Sequence, residues 1–96
     1  MDRAVAIATL RSLLPDLQRA GVSRLDLIGS VARGDARPGS DVDVLVEWST
    51  PPSFHAHLQL IDLLEERLGC HVDVAPRSTL KPRAWRQIEQ EAIRVA

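Results

Sequence analysis

The sequence is poor in several residue types, and each scarcity narrows what the protein can be. Only one of its 96 residues is a cysteine, Cys70, so no intrachain disulfide can form, which fits a reducing cytoplasm. No run approaches the roughly 18 consecutive apolar residues that a membrane-spanning helix needs, and the N-terminus carries no signal-peptide pattern. We therefore predict a cytoplasmic protein that does not enter a membrane.

Neither sign of charge is in marked excess, because the sequence has 12 basic and 13 acidic side chains and a net charge of −1. A general nucleic-acid binder normally shows a basic excess, so direct nucleic-acid binding is not expected. A hydrophobic fraction of 45% with 26% charged residues is ordinary for a soluble globular protein. Because repeats, low-complexity tracts and long linkers are absent, residues 1–96 predict a single domain with a modest core.

The spacing of apolar residues predicts helices that alternate with strands. Helices are predicted over 3–20 with an interruption at Pro15, over 54–68 and over 82–92, with a short helical turn at 30–33. Strands are predicted over 24–28, 41–47 and 71–75, and the tail 93–96 either frays or adds an edge strand. The stripe of the 54–68 helix expected to face the core is Leu58, Ile61, Leu64 and Leu68. The order α-β-α-β-α-β-α predicts an α/β (α+β) fold, a small sheet with helices packed against it.

The most informative stretch runs from Gly29 to Asp43 and reads G-S-V-A-R-G-D-A-R-P-G-S-D-V-D. A Gly-Ser turn follows an apolar run, and eleven residues after Ser30 come two aspartates separated by one valine. Successive side chains of a strand point to opposite faces, so Asp41 and Asp43 should project on the same side. Two carboxylates at this spacing repel each other, and a fold tolerates them best with a divalent cation between them. The pattern predicts a Mg²⁺–nucleotide site.

A nucleoside triphosphate requires donors for its phosphates and carboxylates for its metal ions. Gly29 lets the backbone approach the phosphates, the Ser30 hydroxyl can donate to a phosphate oxygen, and Arg33 adds positive charge nearby. Asp73 is the best candidate for a third carboxylate, because it is the only acidic residue at the centre of another predicted strand. We predict Asp41, Asp43 and Asp73 as catalytic residues that bind two Mg²⁺ ions, with Asp73 also able to accept the proton of an attacking hydroxyl.

A plainer interpretation exists for each of these residues. Alternating aspartates most often face solvent on an amphipathic strand, and Asp73 can be read in the same way. Gly29 can be an ordinary turn glycine and Ser30 an ordinary N-cap, although both roles are compatible with phosphate binding. The metal hypothesis is favoured because the Gly-Ser turn and the aspartate pair occur together at this spacing.

Other chemistry-bearing residues are predicted to be structural. No metal-ligand spacing joins the single cysteine to a histidine, so a zinc site is not expected. The histidines are His55, His57 and His71. Trp48 and Trp85 are expected in the core or at an interface rather than stacked on adenine, with Trp85 a candidate for an exposed apolar patch around the last helix. The basic residues Arg77, Lys81 and Arg83 are expected to be mostly solvated at the start of that helix.

The G-S-x-A-R-G turn, the D-x-D motif eleven residues after Ser30 and the later Asp73 resemble the nucleotidyltransferase superfamily typified by DNA polymerase beta. The short length narrows the resemblance to the minimal nucleotidyltransferases, which are often antitoxins of HEPN-domain toxins. The resemblance implies a mixed sheet flanked by helices, with Asp41 and Asp43 binding both Mg²⁺ ions and Asp73 the catalytic one. It also implies transfer of AMP from ATP to a hydroxyl, most simply a Tyr hydroxyl, of a partner HEPN toxin.

Two other functions remain open at the level of sequence. One is transfer to a small molecule such as an antibiotic, although enzymes of that kind usually carry an added domain for the acceptor. The other is a catalytically idle module that neutralises its partner by contact, which the intact set of three aspartates argues against. The acceptor residue, the preferred base and the oligomeric state are not determined by the sequence.

Overall fold

The fold is built on a four-stranded mixed sheet. The computed structural model describes residues 1–96. The strands lie in the order β3-β2-β1-β4, and β1 is antiparallel to β2 and β4 whereas β2 and β3 are parallel. Their bounds are Val22–Ile28 for β1, Val42–Trp48 for β2, Val72–Pro76 for β3 and Ile93–Arg94 for β4. Strands β1 to β3 begin one or two residues away from their predicted positions, so Asp41 and His71 precede β2 and β3 rather than starting them.

Five helices connect and cover these strands. They are α1 (Arg3–Ser12), α2 (Leu14–Ala20), α3 (Gly29–Arg33), α4 (Phe54–Leu68) and α5 (Pro82–Ile88), with a 3₁₀ turn at Arg77–Thr79 before α5. The predicted class, helices packed on a small sheet, is confirmed. None of the helices combines the length and apolar character needed to traverse a bilayer.

The two faces of the sheet differ in chemistry because side chains alternate along each strand. One face belongs to a single buried apolar cluster shared with the helices. Its strand members are Val22, Leu25, Leu27, Val42, Val44, Val46 and Val72, and its helix members include Leu10, Leu17, Leu60, Leu64 and Leu68. On the other face of β1 and β2 the register sets Asp26 opposite Leu45 and Arg24 opposite Glu47. We call this second surface the polar face, and it carries the candidate site.

The ends of the helices follow the sequence signals. The Asp2 carboxylate accepts hydrogen bonds from the Ala4 and Val5 N–H groups at 2.7 and 3.2 Å, and the Ser53 hydroxyl accepts one from Ala56 at 3.0 Å. The first predicted helix is divided at Leu13, and Pro15 lies in the first turn of α2, where its missing N–H leaves no bond unmade. The predicted interruption at Pro15 is therefore confirmed.

The predicted core stripe of α4 is wrong in its first half. Leu58 is 42% exposed and Ile61 half-buried, whereas Leu60, Leu64 and Leu68 are buried. At about 100° per residue, Leu58 lies roughly 120° from the centre of the arc that these three leucines define. The apolar residues of α4 span more than one face, so periodicity alone did not indicate which face the sheet would cover.

The C-terminal segment also differs from the prediction. Helix α5 ends at Ile88 rather than at residue 92, because the chain must leave the helix to return to the sheet. Of the two outcomes predicted for the tail, the edge strand is the one observed: Ile93 and Arg94 pair with Leu27 and Asp26 of β1. The Val95 N–H then donates to the Leu25 carbonyl at 2.9 Å, which holds the chain end against the sheet.

Leu60 and Leu58 form a matched pair for testing which face of α4 is the core. Leu60→Ala should lower the free energy of unfolding by about 2–4 kcal/mol, because it leaves a cavity beneath the helix. Leu58→Ala should cost less than about 1 kcal/mol, because that side chain is largely exposed. Urea unfolding followed by circular dichroism measures both values. Equal losses for the two variants would contradict the observed orientation of α4.

Candidate active site

The turn at Gly29 brings the backbone of β1 against the carboxylate of Asp43. Gly29 has φ = +77°, which L side chains rarely adopt, and it follows the last residue of β1 directly. A Cβ atom at this position would overlap Oδ2 of Asp43 and lie 3.2 Å from its Cγ. Both the backbone conformation and the close approach therefore require glycine here.

The parallel register of β2 and β3 brings two of the predicted carboxylates side by side. Asp43 is the direct neighbour of Asp73 across the two strands, and on its other side it pairs with Ile28 of β1. Asp41, just before β2, lies so close to Asp73 that their carboxylate oxygens are within 4.8 Å of each other. The structure thus brings Asp41, Asp43 and Asp73 together beside Gly29. We call these three residues the carboxylate cluster.

The carboxylate cluster is electrostatically strained in the absence of a cation. Burial raises the pKa of Asp43 above its ordinary value, and hydrogen bonding with Asp73 and the charges of Asp73 and Asp41 raise this pKa further. The positive charge of Arg33 acts in the opposite direction. A group whose charged form is disfavoured by its neighbours is typical of a functional site.

The two other predicted nucleotide ligands lie on α3. Ser30 follows Gly29 in the first turn, where helix N–H groups have no partner inside the helix, and its hydroxyl makes no hydrogen bond within the protein. Arg33 lies at the end of α3, and its guanidinium contacts Asp35 at 3.2 Å and Glu91 at 3.3 Å. These two hydrogen bonds, led by the one with Asp35, raise the pKa of Arg33. The Arg33 guanidinium is thereby paired with Glu91 of the C-terminal segment, while its positive charge still lowers the pKa of Asp43.

Sequence reasoning missed two residues beside the carboxylate cluster. His71 Nδ1 lies 3.5 Å from Oδ2 of Asp41 and 3.7 Å from Oδ1 of Asp73, and its Nε2 lies 4.0 Å from Oε2 of Glu65. Glu65 Oε2 also accepts a hydrogen bond from the Val72 N–H at 3.0 Å. In the sequence, His71 shows no metal-ligand spacing with the single cysteine. Its spacing of two residues from Asp73 is the same-face signal that identified the aspartate pair.

Paired charged residues and a tryptophan cover the opposite end of the polar face. Asp26 is the only buried charged residue, and it accepts hydrogen bonds from Arg24 Nε at 3.2 and 3.3 Å. Trp85 of α5 packs against the guanidiniums of Arg77 at 4.2 Å and Arg24 at 5.8 Å from its ring centroid. Arg77 in turn pairs with Glu47 at 2.8 Å, so it is an exception to the expectation that most of the basic residues of this segment are solvated. These contacts hold α5 over the far end of the sheet.

The largest cavity does not coincide with the carboxylate cluster. It has a volume of about 730 Å³ and lies where β2 and β3 end, lined by Trp48, Pro51, Pro76, Arg77 and Thr79 among others. None of the three clustered aspartates lines it, nor do they line the smaller cavity beside the N-terminus. The clustered aspartates are therefore presented on an open surface. We assign the chemistry to this cluster because it alone combines crowded carboxylates with the glycine turn.

The donor set of the carboxylate cluster fits a divalent cation. Carboxylate oxygens are the ligands that Mg²⁺ and Mn²⁺ favour, and three of them converge here from two neighbouring strands. A cation bound between them would relieve the repulsion that raises the pKa of Asp43. Asp41, Asp43 and Asp73 are thus suited to hold such an ion.

Comparisons with known proteins agree with this geometry. A family model described as a nucleotidyltransferase domain matches residues 8–95 of the chain. Protein adenylyltransferase MntA of Thermococcus cleftensis is 36% identical over 78 residues, which make up 81% of this chain and 79% of that protein. A solved structure described as a minimal nucleotidyltransferase is 38% identical and superposes with a TM-score of 0.83, covering 97% of this chain and 95% of the other.

A more distant likeness shows the fold alone. It is to a chain of the Shewanella oneidensis complex between a tri-AMPylated HEPN toxin and its MNT antitoxin. The identity is 17% and the TM-score 0.68, over 98% of this chain and 71% of that chain. The family that the sequence motifs resembled is confirmed by the family model and by the two closer relatives. This chain belongs to the nucleotidyltransferase domain family, and its enzymatic class is nucleotidyl transfer.

Proposed function

We propose that this protein is a Mg²⁺-dependent adenylyltransferase that moves AMP from ATP to a hydroxyl, expected to be that of a Tyr, of a partner HEPN toxin, and that it thereby acts as an antitoxin. The observation that carries this proposal is the convergence of Asp41, Asp43 and Asp73 beside the Gly29 turn. The MntA relative is named as a protein adenylyltransferase, and a protein of the same fold occurs with an AMPylated HEPN toxin. Both names support the choice of nucleotide and acceptor.

The phosphates of ATP would lie at the start of α3. The absence of a side chain at Gly29 lets the Asp43 carboxylate lie against the turn, and the first N–H groups of the helix point out of its end. The Ser30 hydroxyl is free of internal partners and can donate to a phosphate oxygen. The charge of Arg33 lies near enough to act on Asp43, so it also adds to the attraction for phosphate.

The carboxylates hold the metal and organise the transfer. A bound Mg²⁺ supplies positive charge that offsets the phosphate oxygens and polarises the α-phosphorus. Asp41, Asp43 and Asp73 would hold the ion, and Asp73, across the strand pair from Asp43, would also accept the proton of the acceptor hydroxyl. The bond from the acceptor oxygen to the α-phosphorus forms as the bond to the α–β bridging oxygen breaks. Pyrophosphate leaves, and AMP remains on the acceptor.

The exposure of the carboxylate cluster favours a protein as acceptor. A small-molecule acceptor is normally enclosed in a pocket that orients it, and the cavities of this protein do not include the clustered aspartates. A partner protein brings its own surface and can complete the site. An idle binding module is disfavoured, because a carboxylate whose pKa is raised by burial and by two neighbouring carboxylates is more typical of a chemical site than of a contact surface.

Replacing a metal-binding carboxylate should abolish transfer. Asp41→Asn should lower the rate on the order of 10³-fold or more, because the lost charge holds the ion that stabilises the transition state. Asp62→Asn, at an exposed position of α4 away from the cluster, is the matched control and should leave the rate unchanged. The measurement is intact-mass spectrometry of a partner HEPN toxin incubated with this protein, ATP and Mg²⁺. Each transfer adds the mass of one AMP group.

Two results would count against this proposal. Near wild-type transfer by Asp41→Asn would remove that carboxylate from the mechanism. A toxin that stays unmodified while a tight complex inhibits it would favour the binding-module alternative.

The strain on Asp43 predicts that an inactivating substitution stabilises the metal-free protein. The raised pKa means that ionised Asp43 destabilises the folded state, a penalty that grows as pH rises through the folded-state pKa. Asp43→Asn should therefore be more stable than wild type at neutral pH in EDTA. The difference should vanish below the ordinary carboxyl pKa of about 4, where Asp43 is protonated whether folded or unfolded. Urea unfolding across this pH range measures it.

Added Mg²⁺ supplies the control for this experiment. Because the ion binds the folded wild type through Asp43, it should raise the stability of wild type more than that of Asp43→Asn. A variant that is less stable than wild type at neutral pH in EDTA would show that the Asp43 carboxylate supports the fold instead of awaiting a cation.

A further inference from the structure

The imidazole of His71 occupies the space between two of the clustered carboxylates. Its Nδ1 is 3.5 Å from an oxygen of Asp41 and 3.7 Å from an oxygen of Asp73. One ligand atom from each of these three residues lies within 4.8 Å of the other two. The donor atoms thus surround one small volume from the ends of two neighbouring strands.

The spacing of these donors suits a single metal ion. Ligands bound at about 2.0–2.2 Å stand about 3.0 Å apart in adjacent octahedral positions and about 3.4 Å apart in tetrahedral ones. The observed separations of 3.5 and 3.7 Å are slightly wider, and all three side chains are exposed and free to rotate inward. Rotation of these side chains would allow His71 to share one ion with Asp41 and Asp73.

The other side of the imidazole faces a second carboxylate partner. Glu65 Oε2 lies 4.0 Å from His71 Nε2, and it is held in place by the hydrogen bond from the Val72 N–H. A histidine that binds a metal through one ring nitrogen usually presents the other to a carboxylate or carbonyl, which fixes its tautomer and raises its basicity. At 4.0 Å the Glu65 carboxylate is beyond hydrogen-bond distance of His71 Nε2, and rotation of the imidazole would bring the two groups within it. In space, the Glu65 carboxylate, the His71 imidazole and the candidate ion site would lie one after another.

We infer that His71 is a ligand of the ion held by Asp41 and Asp73, with Glu65 as its positioning residue. The inference rests on the proposed function for the presence of an ion at this site and adds its ligand set and metal preference. Imidazole nitrogen favours Mn²⁺ and later transition metals over Mg²⁺, which keeps oxygen ligands and water. The site should accordingly bind Mn²⁺ more tightly than Mg²⁺, and the excess should depend on His71.

The test uses the full chain and metal alone, without ATP or partner. Electron paramagnetic resonance counts free Mn²⁺ during a titration, and pulsed measurements on the bound ion detect coupling to an imidazole nitrogen. Wild type should show this coupling, and His71→Gln should lose it with a Mn²⁺ affinity lower by about tenfold, the scale of effects seen around metal sites. Mg²⁺ affinity, from competition with Mn²⁺, should change by less than about threefold because its ligands are oxygens.

Matched variants separate a ligand role from a general loss of charge or fold. His55→Gln removes an exposed histidine near the start of α4, far from the carboxylate cluster, and should retain the nitrogen coupling and the affinity. Glu65→Gln keeps an acceptor for the Val72 N–H while removing the charge behind His71, and should lower Mn²⁺ affinity with the coupling retained.

Wild-type Mn²⁺ without nitrogen coupling, or unchanged Mn²⁺ affinity in His71→Gln, would overturn the inference and leave His71 as an ion-pair partner of Asp41 and Asp73. The proposed function fails separately, through an absence of AMP transfer in the mass-spectrometry assay. Because the resonance experiment contains no nucleotide and no acceptor, neither result determines the other.

Discussion

The arrangement of the active site depends on one constraint, the close approach of Asp43 to the backbone turn at Gly29. The parallel register of β2 and β3 sets Asp73 beside Asp43, and the antiparallel register of β1 brings the Gly29 turn against the same carboxylate. Any residue larger than glycine would push the carboxylate away from the start of α3. The Gly29 turn and the carboxylate cluster thus form one unit, joined by a contact with no room for a side chain.

The repulsion within the carboxylate cluster is offset by stabilising contacts elsewhere in the sheet. The apolar face packs against the helices through a continuous cluster of aliphatic residues, which supplies most of the hydrophobic stabilisation. On the polar face, the buried Asp26 is paired with Arg24, so the one deeply buried charge is compensated. Strain is therefore confined to the carboxylate cluster, at the end of the sheet where a cation can relieve it.

The C-terminal segment divides the polar face into a closed and an open part. Trp85, stacked with Arg77 and Arg24, holds α5 over the far end, and Glu91 draws Arg33 toward the same segment. Between these anchors the carboxylate cluster stays accessible from solution. An accessible site of this kind is well suited to a hydroxyl presented on the surface of another protein, since it lacks the enclosing pocket that would orient a small acceptor.

Local features were predicted well because their causes are local. Asp2 and Ser53 cap helices, Pro15 interrupts one, and Gly29-Ser30 turns the chain from a strand into a helix, since each depends on backbone chemistry within a few residues. Asp73 was also named from its place in a strand. Its position directly beside Asp43, however, depends on strand register, which pairs residues far apart in the chain.

The sequence by itself determined which elements form, where most of them begin to within two residues, and that Asp41 and Asp43 project on the same side. Only the tertiary structure decided which face of α4 is buried, because its apolar residues span more than one face and the sheet selects Leu60 over Leu58. It also decided that Arg77 stacks on Trp85 and that His71 enters the carboxylate cluster. Each of these outcomes depends on distances between separate elements, which no local pattern of residues encodes.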